Sequence, residues 1–287
     1  MLVLGGRGFI GRHAVSALQS AGVSATVGSR NPTASAAINP QEKHVLHQAL
    51  SVDYWSEVAE RYDVILNCVG ILRQRLGESY ESVHHHAPRA IAQACREGGT
   101  RFVHVSALGL SADDRSRFLT SKVRGEAAIQ QVGGDWMIAR LSLLDGEGGY
   151  GASWLRGVSR LPLFVVPSSA KGKIAALTAE DAGSALSKLC LNCSEKLNLD
   201  HSRVFELGGE KAVLFEDYIR ALRKRSYSKP AIAIRVPGIL ARLGAHICDA
   251  FHFSPFSFGH WELLCKDNIP QPNRLPELLE RAPDSVI

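Results

Sequence analysis

The stretch LVLGGRGFIG at residues 2–11 decides how the first half of the chain folds. Three apolar residues predict a short buried strand that ends at Leu4, and the apolar spacing that follows predicts a helix. Glycines between a strand and a helix permit a tight turn and let the backbone approach a pyrophosphate, whose charge the N–H groups at the helix start can meet. The end of the strand favours the triplet Gly5, Gly8 and Gly11 over the overlapping triplet Gly6, Gly8 and Gly11.

Up to Ser142 the chain continues this alternation of strands and helices. Apolar strands without polar alternation, each followed by a helix, predict an α/β fold with a doubly wound, Rossmann-like parallel sheet. Ligands of such sheets bind beyond the carboxyl ends of the strands. The predicted strands are 2–4, 24–29, 63–70, 101–107 and 135–142, and the predicted helices are 9–21, 52–62, 86–99 and the one that carries Lys122.

After Ser142 the composition changes to stretches rich in glycine and proline, among them DGEGGYGAS and RLPLFVVPSSAKGK. A helix is predicted at 180–192 and a strand near 203–208. We therefore predict two domains. A nucleotide-binding domain covers residues 1–142, with its sheet completed by parts of 174–210, and a smaller mixed lobe covers residues 143–287.

Composition and charge narrow the class of protein. The 287 residues carry a formal net charge of +5, with 45% hydrophobic and 21% charged residues, as in ordinary soluble globular proteins. No long basic run favours nucleic acid, and no apolar run reaches the ~20 residues of a membrane span. The chain opens without the basic region of a secretory signal, and its six cysteines are scattered, so reduced thiols in a cytoplasmic compartment are expected. Cys190 and Cys193 form a C-x-x-C pair, but nothing nearby completes a zinc site.

The end of the second predicted strand bears on the choice of dinucleotide. NAD-binding sites usually place an Asp or Glu about 20 residues after the glycines, where it binds the ribose 2′-hydroxyl. Here that position reads VGSRNP, with Ser29 and Arg30 and no acid, while Arg7 lies within the glycine turn. A guanidinium can pair with a 2′-phosphate through hydrogen bonds worth about 1.5–3 kcal/mol. NADP(H) is therefore favoured; a solvated Arg30, and with it NAD(H), is the alternative.

Several motifs spread along the chain together resemble one family. They are LGGRGFIGRHAV, SRNP, VILNCVG, RFVHVSALG, the F-x-x-x-K helix with KVRGE, and LTAEDAGSAL. The chain resembles the atypical and extended short-chain dehydrogenases/reductases, which include NAD(P)-dependent epimerases and dehydratases. Within them it is most similar to the branch of the nucleotide-binding accessory subunit of respiratory complex I, through FHFSPFSF, KDNI and a short LPELL segment.

The resemblance implies roles for individual residues. Residues of the glycine turn and of the strand ends would hold the dinucleotide along its length. Ser106 and Ala107 would approach the nicotinamide, and Lys122 would bind the hydroxyls of its ribose. With Arg7 from the glycine turn, the expected cofactor-binding set is Gly5, Gly8, Phe9, Ile10, Gly11, Ser29, Arg30, Cys68, Val69, Gly70, Ser106, Ala107, Lys122, Leu141, Ser142 and Leu143.

Two positions depart from the family's pattern. Ala49 stands where many members carry an Asp near the adenine, which predicts apolar adenine contacts only. Phe118 stands where active members carry a tyrosine, whose hydroxyl acts as general acid or base beside an ammonium group. Because phenylalanine has no proton to transfer, Lys122 is left with Ser106 and Ser121 as the catalytic candidates. Neither serine has an evident base, so weak or absent redox catalysis is expected.

These observations lead to one functional expectation and one alternative. The chain is expected to be an NADP(H)-binding protein in an accessory, structural or redox-sensing role. The alternative is an NADPH-dependent reductase or a sugar-nucleotide epimerase-like enzyme that acts on a small carbonyl compound.

Two further segments, a run of histidines and an apolar helical stretch, bear on binding. Consecutive histidines at 84–86 point in different directions, so no metal site is expected. The helical segment 235–251 contains few acids. It is expected to be core, with a protein-docking face of the C-terminal lobe or a contact peripheral to the inner membrane as the alternatives.

Overall fold

The computed structural model describes residues 1–31, 40–191, 202–251 and 256–287. Its strands are β1 (Leu2–Leu4), β2 (Thr26–Ser29), β3 (Gln41–Lys43), β4 (Val64–Asn67), β5 (Arg101–Ala107), β6 (Trp136–Leu141), β7 (Leu144–Asp145), β8 (Leu163–Pro167), β9 (Lys173–Ile174), β10 (Leu177–Thr178), β11 (Val204–Leu207), β12 (Val213–Leu214) and β13 (Ile232–Val236). Its α-helices are α1 (Phe9–Ser20), α2 (Val52–Ala59), α3 (Ala87–Gly98), α4 (Arg117–Val132), α5 (Tyr150–Arg160), α6 (Ala179–Leu191), α7 (Phe215–Lys224), α8 (Gly238–Phe251), α9 (Phe258–Leu264) and α10 (Leu275–Leu279). A 3₁₀ turn (Gln48–Leu50) precedes α2, and a π-helical turn (Ser82–His86) runs directly into α3.

Seven strands form one parallel sheet in the order β11-β6-β5-β4-β1-β2-β3. From β1 the chain builds β2 and β3 on one side, then crosses to β4 and continues outward to β11 on the other. The topological switch point therefore lies between β1 and β4, which is where doubly wound folds bind their ligands. The predicted doubly wound α/β fold is confirmed.

Alternate residues of the central strands enter two separate cores. Val3 packs on one face of the sheet, where Leu18 of α1 covers it. Leu4 packs on the other face, together with Ile91 of α3. Because helices cover both faces, these strands are apolar throughout instead of alternating with polar residues.

The chain after β6 builds the smaller lobe and also returns to the main sheet. Three two-stranded sheets form in this part, β10-β7, β12-β9 and β13-β8, while β11 pairs with β6. A third apolar core, which includes Phe164, Phe215 and Tyr218, holds the lobe together.

The segment 235–251 differs from its prediction in two ways. Arg235 and Val236 belong to strand β13, and α8 begins only at Gly238. The helix is also not core, because Ile239 is 83% exposed and, among the side chains of α8 that the structure describes, the fully buried one is the small Ala245. Apolar spacing predicts a helix, but it does not determine which side of the helix faces the protein.

Two expectations about cysteines and membranes can be placed on the structure. Cys190 is a buried free thiol in α6, and Cys193 lies outside the described residues. Burial raises the pKa of the Cys190 thiol to about 12, so it stays protonated at neutral pH. Within the described ranges, every helix is too short or too polar to cross a bilayer.

Candidate functional site

Three glycines shape the turn between β1 and α1. Gly5 has a φ of +71°, a region that favours glycine, and its N–H donates to the carbonyl of Gly28 at 2.9 Å. Gly8 is the N-cap of α1 and offers no side chain to cap the helix. A Cβ at Gly11 would lie 2.3 Å from the carbonyl oxygen of Gly5, so only glycine lets the helix approach the turn. The first N–H groups of α1 therefore remain at the sheet edge for an anion.

Two cavities lie at this edge, and we name each by a strand that it adjoins. The β2 cavity has a volume of about 400 Å³ and is lined by the glycine turn and the end of β2. The β5 cavity has a volume of about 310 Å³ and is lined by the ends of β5 and β6, by α4 and by the smaller lobe. Cys68, Val69 and Gly70, which follow β4, line both. The two cavities therefore share a wall at the switch point and extend to either side of it.

The β2 cavity contains a hydroxyl without a partner. Ser29 ends β2, and its Oγ is buried and makes no hydrogen bond within the described ranges. A buried polar atom left in this state costs about 1–3 kcal/mol, which a ligand oxygen would relieve. Ala49 lines the same cavity, and its carbonyl accepts the indole N–H of Trp55 at 2.9 Å. The wall at this position is therefore apolar.

The arginines predicted to face a 2′-phosphate contact other groups. Arg30 lines the β2 cavity but forms an ion pair with Glu78, and Arg7 donates to the carbonyl of Asn31 at 2.6 Å. Glu78 lies in the loop after β4, and its carboxylate is also part of the cavity wall. Sequence spacing does not reveal Glu78 as an acid near the end of β2, because the fold brings it to Arg30 from 48 positions away.

The β5 cavity is mainly apolar, with a small number of polar groups. Ser106, at the end of β5, has a buried hydroxyl that bonds to no other described residue, and Ala107 lies beside it in the wall. Lys122, Ser142, His260 and Asn268 supply further polar groups. The apolar wall includes Leu108, Leu143, Trp154, Leu155, Phe215, Phe256, Leu263 and Leu264.

Lys122 reaches the β5 cavity from α4. Desolvation lowers the pKa of its ammonium group to about 8, although the Glu126 carboxylate acts in the opposite direction. Glu126 is itself held by Arg140, with 2.6 Å between Nη2 and Oε2. A Cβ at Gly125 would lie 1.9 Å from the carbonyl oxygen of His84, so glycine allows α4 to pack this closely. The KVRGE motif thus positions Lys122 through packing as well as charge.

Phe118 belongs to an aromatic cluster in the wall of the β5 cavity. Its ring meets those of Tyr80 and His84 edge-on, each at a centroid distance of 5.6 Å, and stacks on His260 at 5.7 Å. The Nζ of Lys122 lies 5.7 Å from the centroid of Phe118. The hydroxyl of Tyr80 donates to a backbone carbonyl at 2.9 Å, so this neighbouring phenol is already hydrogen-bonded.

Ser121 drops out as a catalytic candidate because a buried hydrogen-bond chain uses its hydroxyl. Its Oγ donates to the carbonyl of Phe118 at 3.0 Å and lies 3.0 Å from Nδ1 of His84. The Nε2 of His84 accepts the N–H of Ile71 at 3.1 Å, so Nδ1 carries the proton and donates to Ser121. Desolvation and the charge of Lys122 lower the pKa of His84 well below its usual value, which keeps it neutral.

Beside the end of β6 lies a polar group that sequence patterns did not reveal, Asn268 from the C-terminal region. Leu141, Ser142 and Leu143 line the β5 cavity. The hydroxyl of Ser142 donates to Asn268, whose Nδ2 in turn donates to the carbonyl of Leu108 at 2.7 Å. Asn268 therefore ties the ends of β5 and β6 together from the C-terminal region. Its position in the KDNI segment was visible in the sequence, but its contacts were not.

The first turn of α1 contributes one side chain to the site and one to the packing around it. Ile10 lines the β5 cavity. The ring of Phe9 packs against the backbone of Gly149, where an added Cβ would lie 2.7 Å from it. The side chain of Phe9 is thus used in packing, and a phosphate contact of Phe9 would be made by its backbone N–H.

The remaining histidines of the run 84–86 lie toward the surface. His85 Nδ1 approaches Glu81 at 3.0 Å, and the rings of His85 and His86 stack with centroids 4.5 Å apart. Glu81 also pairs with Arg124 at 2.8 Å. Because a guanidinium already neutralises this carboxylate, we assign no metal to the group.

The fold and the site define a class of protein. A doubly wound sheet, a glycine turn at its switch point and a helix lysine facing the end of β5 are the features of a short-chain dehydrogenase/reductase-like dinucleotide-binding protein. Residues 5–159, more than half of the chain, match the NAD(P)H-binding family, and the chain belongs to that family.

Solved structures agree with this fold. A nucleoside-diphosphate-sugar epimerase from Staphylococcus aureus is similar with a TM-score of 0.74 and 12% identity, over 99% of this chain and 96% of that one. MoeE5 in complex with UDP-glucuronic acid and NAD is similar with a TM-score of 0.69 and 15% identity, over 99% and 93% of the two chains. At these identities the likeness shows the fold alone.

Two relatives are closer in sequence. Ceramide reductase of Caulobacter vibrioides is 28% identical over 194 residues, which is 66% of this chain and 60% of that protein. The mitochondrial NADH dehydrogenase (ubiquinone) 1 alpha subcomplex subunit 9 of Rattus norvegicus is 35% identical over 92 residues, which is 32% of this chain and 24% of that protein. The expected relationship to the complex I accessory subunit is confirmed, although the match spans less than two thirds of either relative.

Proposed function

We propose that this protein binds NADP(H) and retains it in an accessory, structural or redox-sensing role, with weak or no turnover. One contrast within the site carries the proposal. Buried hydroxyls without partners, at Ser29 and Ser106, await a ligand in the two cavities. Phe118 meanwhile stands in the wall where the family's pattern has a tyrosine.

The residues present fit a dinucleotide. The glycine turn leaves uncapped helix N–H groups for a pyrophosphate, and Ser29 is suited to an oxygen of the adenosine ribose. Ser106 and Lys122 are suited to the nicotinamide end. Retention needs no catalysis, because a ligand present at 100 times its Kd stabilises a fold by about 2.7 kcal/mol.

Proton transfer is the step that these residues support poorly. Bound NADPH would supply a hydride to a carbonyl carbon, and the carbonyl oxygen would then need a proton. Phe118 has none to give, and Ser106 has no base bonded to its hydroxyl. Lys122 is the group expected to hold the ribose hydroxyls. Loss of a general acid slows a reaction typically by about 10²–10⁴-fold, so slow turnover is the expectation.

The preference for NADP(H) depends on how easily Arg30 leaves Glu78. The side chain of Arg30 is 61% exposed and that of Glu78 is 17% exposed, so the pair is worth more than a fully exposed one, which contributes about 0–1 kcal/mol. A charge-assisted contact with a 2′-phosphate is worth about 1.5–3 kcal/mol. The Glu78 carboxylate stays in the same cavity wall and opposes the phosphate, so the preference requires the second positive charge of Arg7, which lines that wall too.

The lining of the β5 cavity favours a second candidate function, reduction of a carbonyl compound with a long apolar chain. Leucine and aromatic side chains dominate this wall, which suits an acyl chain better than a sugar. One relative is named a ceramide reductase, and ceramide carries such chains. The Oγ of Ser257 lies 2.6 Å from Nδ1 of His260. With the Ser257 hydroxyl as the donor of this hydrogen bond, Nε2 of His260 carries the proton and can donate to a substrate oxygen.

Three measurements test these proposals together. Nucleotide released by denaturing the purified protein is identified by mass spectrometry, and NADPH and NADH are titrated by calorimetry. We expect bound NADP(H) and an affinity for NADPH about tenfold or more above that for NADH. Equal affinities would contradict the role of Arg30.

Turnover is measured as NADPH oxidation with long-chain ketones, short ketones and UDP-sugars. We expect slow oxidation with each substrate. Brisk oxidation with a long-chain ketone that Lys122→Ala abolishes would contradict retention without turnover and support the second candidate.

An accessory role also requires a location and a partner. Reduced thiols fit a cytoplasmic compartment, as expected from the sequence. The exposed apolar side chains of the smaller lobe mark the surface through which we expect contact with a protein partner or with a membrane.

A further inference from the structure

The strand pair β8–β13 has apolar side chains on its outward face as well as on its inward face. Its register places Ile232 beside Leu163 and Ile234 beside Val165, and these four side chains are between 45% and 64% exposed. On the inward face, Phe164 is buried in the core of the lobe. A strand pair with one face in water normally alternates apolar and polar residues. This outward face lacks that alternation, so an apolar surface is expected to pack against its exposed side chains.

Helix α8 follows β13 after Pro237 and presents its apolar side outward too. Ile239, Leu240, Leu243 and Ile247 are exposed, and their spacing places them on one side of the helix. The fully buried residue on the opposite side is Ala245. A helix that packs on a protein core shows the reverse arrangement, with its large apolar side chains inward.

Positive charges outnumber negative ones around this face. Residues 148–179 and 218–248, which include β8, β13 and most of α8, contain none of the 28 Asp and Glu of the chain and eleven of its 33 Lys and Arg. Several acids that border these ranges are paired: Glu216 with Arg220 and Arg235, Asp217 with Arg220, and Asp145 with Arg156 and Arg225. Asp249, in the last turn of α8, pairs with Arg73. Other cations are exposed and form no ion pair within the described ranges, namely Lys171, Lys173, Lys224, Lys229 and Arg242.

We propose that this face, the outward side chains of β8–β13 and α8 with their basic surroundings, docks on the surface of an anionic lipid bilayer. The apolar side chains enter the boundary between headgroups and acyl chains, and the lysines and arginines attract anionic headgroups. Two copies that used the same face would bring like charges together, which disfavours a dimer.

The proposed membrane face and the β5 cavity are two sides of one apolar core. Leu155, Ile174 and Phe215 belong to that core and also line the cavity. Docking would therefore hold the cavity close to acyl chains. The inference does not depend on which dinucleotide binds or on turnover.

Co-sedimentation of the full chain with vesicles tests the proposal. We expect binding to phosphatidylcholine vesicles that contain phosphatidylglycerol, and binding about tenfold weaker to phosphatidylcholine alone or at high salt. The double variant Leu240→Ser/Leu243→Ser is expected to lose about tenfold or more in affinity. Lys171→Gln/Lys173→Gln is expected to weaken binding to the anionic vesicles only. The matched control is Leu76→Ser, because Leu76 is fully exposed but lies in the loop after β4.

Each outcome is informative because NADPH titration and thermal unfolding report separately on the fold. Unchanged values in the variants show that lost vesicle binding is not lost folding. Vesicle binding without NADPH binding would support the membrane proposal and contradict the cofactor proposal. Two results would overturn the membrane proposal. One is a folded wild-type protein that does not bind anionic vesicles at low salt. The other is a wild-type protein that is a dimer in solution and becomes a monomer in Leu240→Ser/Leu243→Ser.

Discussion

The imidazole of His260 stacks on the ring of Phe118, with centroids 5.7 Å apart and an interplanar angle of 21°. Both side chains line the β5 cavity. Burial and the charge of Arg73 lower the pKa of His260 to about 4, so the imidazole is neutral at pH 7. The cavity therefore has a neutral imidazole beside Phe118, which is not a strong acid.

Restoring the phenol is expected to raise turnover. Phe118→Tyr adds a hydroxyl to a ring whose centroid lies 5.7 Å from the Lys122 ammonium, which favours the ionised phenol. We expect NADPH-dependent reduction of a long-chain ketone to rise about 10²-fold. The control is Tyr80→Phe, because the Tyr80 hydroxyl donates to a backbone carbonyl. No gain in a Phe118→Tyr protein that still binds NADPH would show that the cavity does not place a carbonyl for reduction.

The ion pair between Arg30 and Glu78 is expected to tune the choice of dinucleotide. Glu78→Gln releases Arg30 and removes a negative charge from the cavity wall, so it should raise the affinity for NADPH by about fivefold or more. Arg30→Ala should lower it by about tenfold or more and leave NADH nearly unchanged. Calorimetric titration measures both. Arg61→Ala is the control, since Arg61 pairs with Glu42 instead. A parallel loss of NADH affinity in Arg30→Ala would argue against phosphate recognition.

Lys122 is expected to destabilise the ligand-free fold at neutral pH. Desolvation places its pKa at about 8, against 10.5 ordinarily, so between these pH values the unfolded chain binds the extra proton. The stability contributed by this group therefore rises with pH across the window and is lowest below pH 8. Lys122→Met should raise the free energy of unfolding at pH 7 by on the order of 1–3 kcal/mol while it weakens NADPH binding.

Urea unfolding at pH 7 and above pH 10 checks the Lys122 prediction, because the gain should shrink at the higher pH. Lys188→Met is the control, since Lys188 pairs with Glu280 at the surface and should change stability by less than about 0.5 kcal/mol. A Lys122→Met protein less stable than wild type at pH 7 would show that the ammonium is favourably paired.

The protein is expected to lose stability in mild acid through its buried histidines. His260 has a folded pKa of about 4, against 6.5 ordinarily, so as the pH falls through this window only the unfolded chain takes up the proton. Each such group lowers the free energy of unfolding by up to about 1.4 kcal/mol per pH unit. His260→Gln should make the free energy of unfolding fall less steeply as the pH decreases, by the contribution of one proton, as measured by denaturant titration across the window. The remaining pH dependence should persist, because His104, with a pKa of about 3, also stays neutral in the folded protein. The exposed His47→Gln serves as the control, and equal slopes in all three proteins would contradict the assignment.

The glycine turn allows a matched pair of substitutions. In Gly11→Ala the added Cβ would meet the carbonyl oxygen of Gly5 at 2.3 Å, so we expect a loss of about 3 kcal/mol or more and no NADPH binding. Gly157 lies within α5, and a Cβ there meets nothing within 4 Å. Gly157→Ala should therefore stabilise by about 0.5–1 kcal/mol. Thermal unfolding compares the two, and a stable Gly11→Ala protein that binds NADPH would mean that the turn can widen.

Local sequence patterns predict which helices and strands form more accurately than they predict where each one begins and ends. The apolar run 63–70 was predicted to be one strand, but β4 ends at Asn67, whose side chain accepts the N–H of Val69 at 3.0 Å. The helix predicted at 86–99 is preceded by a π-helical turn, whose His84 carbonyl packs against Gly125 of α4. In both cases a side-chain hydrogen bond or a contact with a distant helix sets the boundary. Hydrophobic periodicity does not encode either one.

The sequence by itself determined the doubly wound sheet, the glycine turn at its switch point and the absence of a phenol at position 118. These follow from residue type and spacing within one strand, turn or helix, where the relevant forces are local. Only the tertiary structure decided that Glu78 meets Arg30, that His260 covers Phe118, and that α8 turns its leucines outward. Such contacts join residues that are far apart in the chain, and they depend on how the helices and the smaller lobe pack over the sheet.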